Sequence, residues 1–194
     1  MDKKIYIGIV IVIVAIITVF AVNYSDNSNE SVNGMITIKD MAGRTVNVPD
    51  NVENVVGVGC TAREIVYLDA EDKIVGIEQM ESDSKGGWGN ELPYIKSNEK
   101  LIKLPIIGNA KTDTVDYEKL SSLKPDVVFA GTPEQANLIQ NKTGIPTIVT
   151  YVGAVGTEQQ MEKYENSLTM MGKVLGKEDR ASELIGYMDE IEKD

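Results

Sequence analysis

The chain has 194 residues, 42% of them hydrophobic, and carries 19 Lys and Arg against 30 Asp and Glu for a net charge of −11. That length suits one domain with an anchor or tail to spare, and the acidic balance argues against a nucleic-acid partner, because phosphate binding needs a basic face. One cysteine and no histidine exclude an internal disulfide, Ser-His-Asp or Cys-His catalysis and a His-bearing zinc or manganese site, so no catalytic residue and no metal ligand is assigned.

Residues 1–4 form a stub with Lys3 and Lys4. Ile5 to Val22 is an almost unbroken apolar run. At 1.5 Å per helical residue it reaches about 27 Å, close to the thickness of a bilayer core. The flanking lysines place the stub in the cytoplasm and the rest outside, as a membrane-anchored extracytoplasmic protein. The alternative is a removed signal peptide, with Val19 and Ala21 satisfying a small-residue cleavage rule and the product secreted. Residues 23–34 are a polar tether in which Asn29 begins a glycosylation sequon.

From residue 35 strand and helix signals alternate. Met35 to Lys39 and Thr45 to Val48 predict a hairpin turning at Gly43. Val55 to Val58 reads as a buried strand, broken by Gly59-Cys60-Thr61 and followed by a helix over Arg63 to Leu68. Lys73 to Ile77 predicts a strand, 78–90 a loop with Trp88 between glycines, Leu92 to Lys100 a short helix, and Leu104 to Ile107 a strand. A helix over Asp116 to Leu123, a strand over Asp126 to Ala130 and a Thr132-capped helix to Thr143 follow. A strand over Thr147 to Tyr151 and two amphipathic helices, from Thr157 to Leu175 and from Glu178 onward, complete the pattern. Met161, Tyr164, Leu168, Met171 and Leu175 form the core stripe of the first of these helices. The alternation predicts an α/β fold with a mostly parallel sheet and helices on both faces, behind an N-terminal β-hairpin and before long C-terminal helices.

The corner at Gly57 to Arg63 fits two patterns. As G-x-G-x-x-A it matches a dinucleotide fingerprint, with Glu78 near the position of a ribose-binding acid, and implies a nucleotide-binding oxidoreductase. Against this, Gly57 falls within the strand and a hairpin precedes the unit. The second reading is a resemblance. I-T-I-K-D-M-A-G-R-T-V-N-V-P, E-N-V-V-G-V-G at 53–59, T-A-R-E-I-V-Y-L-D-A-E-D-K-I-V-G-I, D-Y-E-K-L-S-S-L-K-P-D-V-V-F-A at 116–130 and G-I-P-T-I-V-T-Y at 144–151 together resemble the substrate-binding proteins of ABC importers for iron-siderophores, haem and cobalamin. A stand-alone ligand-sensing or adhesion module is a further alternative.

The resemblance implies a Rossmann-like lobe over 35–176, the start of an inter-lobe helix at 177–194, and a second lobe absent from this chain. It implies a non-enzymatic extracytoplasmic protein that takes no cofactor, binds a small-molecule metal chelate and delivers it to a membrane permease and its ATPase. The expected ligand is an iron chelate, with cobalamin or haem as alternatives. Carried over by motif, the ligand face comprises Cys60, Thr61, Ala62 and Arg63, then Asn109, Lys111 and Thr112, then Gly131 and Thr132, then Tyr151 and Gly153. Trp88 joins them as an exposed aromatic in a loop. Arg63 is expected to donate charge-assisted hydrogen bonds to an anionic chelate. Glu118 matches the acidic residue that docks on the permease. The face is expected to be open and shallow. The last helix is expected to dock over Ala181 to Ile185 and to be exposed and frayed from Met188 onward.

Overall fold

Short runs of β-branched residues, bounded by glycine, proline and charge, become strands in this chain. In the computed structural model, which describes residues 34–84 and 86–191, β1 (Met35–Lys39) and β2 (Thr45–Pro49) form an antiparallel hairpin. β3 (Val55–Val58), β4 (Ile74–Glu78), β5 (Ile106–Asn109), β6 (Thr114–Val115), β7 (Val127–Ala130) and β8 (Thr147–Val149) make one sheet in the order β6-β5-β4-β3-β7-β8. Its neighbours are parallel except for β5 and β6. The helices are α1 (Ala62–Tyr67), α2 (Pro93–Lys96), α3 (Tyr117–Leu123), α4 (Pro133–Thr143), α5 (Glu158–Leu175) and α6 (Glu178–Ile191). The apolar run at 5–22 and the tether lie outside the described residues. Among the described residues no helix is long and apolar enough to cross a membrane.

The period of two along each strand divides the core into two layers. Val55, Val127, Phe129 and Ile148 face a layer built with the hairpin, α1, α2, α5 and α6. Val56, Val58, Val128, Ala130 and Val149 face the other, with Leu120 of α3 and Ala136 and Ile139 of α4. Every residue of β3, β7 and β8 is buried, and a fully buried Val or Phe contributes about 1.5–3 kcal/mol. The hairpin is pinned to the sheet by Asp40. Its carboxylate accepts from the N–H groups of Ala42 and Arg44, shaping the turn, and from the N–H of Val149 in β8. Arg44 completes the joint through its ion pair with Asp40 and a hydrogen bond to the Thr147 carbonyl.

Several boundaries differ from the sequence reading. The expected helix over 92–100 divides into α2 and a 3-10 turn at Glu99–Lys103, because Ser97-Asn98 ends the first helix and the Asn98 side chain bonds back to the Tyr94 carbonyl. The strand expected at 104–107 lies at Ile106–Asn109, and β6, two residues long, was not foreseen. The residues 78–90, read as a loop, contain a 3-10 turn at Gln79–Glu81 and the start of another at Gly89–Glu91. The last helix docks one turn further than expected. Ala181 is buried against Gly172, and Leu184, Ile185 and also Met188 pack on the core, so only Ile191 of its apolar stripe stands exposed.

The junction of β3 with α1 leaves no room for a side chain at Gly57, where a Cβ would lie 2.5 Å from the Ala62 nitrogen and 2.7 Å from the Thr61 hydroxyl. Gly57→Ala is therefore expected to lower stability by about 2–3 kcal/mol, in the range of overpacking a tight core. Chemical denaturation checks this, and a loss below about 0.5 kcal/mol, the scale of a neutral surface change, would contradict it.

Candidate functional site

The strand order determines where a ligand face forms. From β3 the chain moves outward to β4 and β5, and from β7 it moves the opposite way to β8, so a topological switch point lies between β3 and β7. Ligands of open α/β sheets collect at the carboxyl ends of the strands at such a point. Here that edge carries the turns after β3, β4, β5, β7 and β8.

The turn after β3 is unusual backbone. Gly59 and Cys60 both adopt left-handed conformations, with φ of 65° and 71°. A cysteine there is strained by about 1–3 kcal/mol and needs support. Glu78 of β4 supplies part of it by accepting from the Cys60 N–H at 3.2 Å, and Thr61 supplies more by donating to the Phe129 carbonyl at 3.0 Å. Gly59 and Gly131 approach so closely that a Cβ on Gly131 would lie 3.0 Å from the Gly59 carbonyl. Gln135 of α4 reaches the same point. It donates to Asp113 at 2.9 Å and thereby ties the β5–β6 loop to the β7 end.

The expected site residues fall into two groups. Cys60, Arg63, Asn109, Lys111, Thr112, Gly131, Thr132, Tyr151 and Gly153 lie on the edge with partial or full exposure. Thr61 and Ala62 lie beneath it, 0% and 1% exposed, and serve the edge through backbone and packing. Trp88 is 43% exposed, and the Lys111 ammonium lies 3.7 Å from the centre of its ring. This pair joins the β4–α2 loop to the β5–β6 loop, and Lys111 also donates to the Gly86 carbonyl. Tyr151 turns its hydroxyl to the Ala154 carbonyl and its ring against Gly153. Glu118 is exposed in the first turn of α3.

Arg63 is already paired within the chain. Its Nε and Nη2 donate to Glu64 at 3.0 and 2.6 Å, so the guanidinium already has an anion and presents only its remaining edge outward. The dinucleotide reading fails at the same place. Gly57 is within β3, and Glu78 is buried with its carboxylate on the Cys60 N–H that a pyrophosphate would need.

An open hollow of about 300 Å³ lies beside this turn, lined by Cys60, Arg63, Tyr67, Met80, Leu92, Pro93 and Tyr94. Beside it sit three carboxylates, Glu64, Glu78 and Glu81, each no more than 1% exposed; sequence reasoning missed Glu64 and Glu81 and singled out Glu78 only as a ribose-binding acid. Glu81 accepts from the Glu78 N–H at 2.8 Å and from the Tyr94 hydroxyl at 3.1 Å. Burial pushes all three carboxyls upward, against the Arg63 guanidinium for Glu64 and against backbone N–H donors for Glu78. Glu81 is raised to about 7. Burial also raises the Cys60 thiol, and the charges of Glu78 and Glu81 add to it. The Cys60 sulfur lies 3.6 Å from that of Met80.

A family model described as periplasmic binding protein matches residues 55–193. The petrobactin-binding protein YclQ of Bacillus subtilis is 26% identical over 184 residues, which are 91% of this chain and 53% of that protein. A periplasmic solute binding protein of Veillonella parvula superposes with a TM-score of 0.65 at 26% identity, over 82% of this chain and 46% of its own. Staphylococcus aureus SirA complexed with staphyloferrin B superposes with a TM-score of 0.56 at 25% identity, over 79% and 47%. The chain thus spans about half the length of the relatives it matches.

The raised thiol has a kinetic consequence, because the thiolate is the reacting form. Alkylation of Cys60 by iodoacetamide at pH 8 is expected to be at least several-fold slower in the folded chain than in the chain unfolded by urea. Equal rates would show that the thiol is neither shielded nor raised.

Proposed function

The chain belongs to the periplasmic binding protein family, and from that premise we propose that it is part of the extracytoplasmic solute-binding component of an ABC importer for an iron chelate of the siderophore class. It would present the chelate on the carboxyl edge of its sheet and deliver it to a membrane permease and its ATPase, with the exposed Glu118 as a docking residue. Residues 35–176 would form one lobe and 177–194 the start of the helix leading from it. A chain without histidine has no Ser-His or Cys-His chemistry to offer, which supports a role in binding without catalysis. Two of the relatives whose names give a ligand, those for petrobactin and staphyloferrin B, support the siderophore class, and one named for molybdate does not.

The observation that carries this reading is the Trp88–Lys111 pair. It places an exposed aromatic face and an ammonium together beside the strand ends, where a bulky anionic chelate finds both a stacking surface and a charge. The face is open, so the ligand stays partly solvated and affinity is modest for this chain alone.

Trp88 is the only tryptophan, so its emission reports binding directly. Titration with ferric siderophores, haem, cobalamin and NAD is expected to give saturable quenching with a ferric siderophore. Lys111→Ala is expected to weaken that binding by about 1.5–3 kcal/mol, the range for hydrogen bonds to charged groups. Saturable quenching by NAD and by no chelate would overturn the reading.

A further inference from the structure

The turn that follows β4 holds the Trp88 loop from two sides. One Glu81 oxygen accepts from the Glu78 N–H, at the end of β4, and the other accepts from the Tyr94 hydroxyl, on α2. The chain between those two anchors carries Trp88. It is tied back to the same turn, because the Trp88 N–H donates to the Met80 carbonyl at 2.7 Å and the Gly89 N–H donates to the Ser82 carbonyl at 3.1 Å. The position of Trp88 therefore depends on a 3-10 turn whose central support is one fully buried carboxylate.

That carboxylate sits in an unbalanced charge environment. Glu78 faces it from β4, Glu64 from α1, Cys60 from the turn after β3 and Tyr94 from α2. β5 also packs against the turn and brings no ionisable side chain, while Asp113 beyond it acts on Glu78. Lys96 of α2 is exposed, and the cation within the cluster is Arg63, which is bonded to Glu64. One oxygen of Glu64 and one of Glu78 have no hydrogen-bond partner. Three buried carboxylates against one guanidinium leave a charge that burial penalises unless a proton neutralises it.

We propose that Glu81 is a proton-controlled latch that positions the Trp88 loop, closed when the carboxyl is protonated and loosened when the proton leaves. Protonated, it keeps both contacts without adding a third buried charge: its carbonyl oxygen accepts from the Glu78 N–H, and its O–H donates to the Tyr94 oxygen, whose own hydroxyl proton turns away. Ionised, it is desolvated and repelled by Glu78 and Glu64, and hydrating it requires the turn to open. With the carboxyl raised to about 7 from an ordinary 4.5, the folded form holds this proton where the unfolded chain has lost it. Its contribution to stability is thus fully present below about 4.5 and is lost as pH rises through about 7. The latch sits beneath the ligand edge, so its link to affinity rests on the importer reading, whereas the latch itself can be tested without ligand.

The experiment is Trp88 emission of the ligand-free chain from pH 5 to 9. A sigmoidal shift with a midpoint near 7 is expected in the wild type and a flat response in Glu81→Gln, both checked for folding by circular dichroism. Tyr94→Phe removes a donor that favours the ionised form and is expected to move the midpoint upward, which keeps the test available if Glu81→Gln does not fold. No transition in the wild type, the same transition in Glu81→Gln, or a midpoint unmoved or lowered in Tyr94→Phe would each overturn the latch. Failure of every chelate to bind would bear on the importer reading and leave this result standing.

Discussion

The contact between the Glu78 carboxylate and the Cys60 N–H is the constraint on which the ligand edge depends. The turn after β3 must reverse within two left-handed residues so that α1 can pack directly over Gly57. No side chain of the turn caps α1, since Thr61 supports the turn by sending its hydroxyl across to the Phe129 carbonyl. A carboxylate from the neighbouring strand takes up the exposed N–H instead. That choice fills the position where a helix N-terminus would otherwise receive an anion, and it leaves the side chains around that end as the groups exposed there.

The consequences spread through burial. A carboxylate under the turn brings a desolvation penalty. The chain places two more beside it, Glu64 bonded to Arg63 and Glu81 shared between the Glu78 N–H and Tyr94. Each supports a different segment of the edge: Glu64 orients the one guanidinium there, Glu78 the Cys60 turn, and Glu81 the Trp88 loop. The face above is therefore held by buried charged groups, whereas the sheet beneath it is held by apolar layers.

Much of this architecture was legible in the sequence. The β3, β7 and β8 strands declare themselves as short apolar runs closed by glycine, threonine or proline, and Thr132-Pro133 and Asp116 mark helix starts that the structure keeps. β6 was not legible because two residues carry no periodicity. The burial of the glutamates was not legible because their shelter comes from elements distant in sequence: Tyr94 covers Glu81 and the β3 turn covers Glu78. For the same reason the approach of Lys111 to Trp88, 23 residues apart, is a product of the β4–β5 pairing and not of any local pattern. Met188 was assigned to the exposed end of the last helix because its partner surface belongs to α5 and the core.

If the proposed function holds, the loops after β3, β4, β5, β7 and β8 act as one ligand face. The measurement that tests it most directly is an amide NMR titration of the chain with a high-spin ferric siderophore, whose unpaired electrons broaden nearby signals. Selective loss of the amides of Cys60, Trp88, Lys111, Gly131 and Tyr151, with those of the β1–β2 hairpin and α6 retained, is the predicted result. Broadening centred on α6 or on the hairpin, with the strand-end amides unaffected, would contradict it.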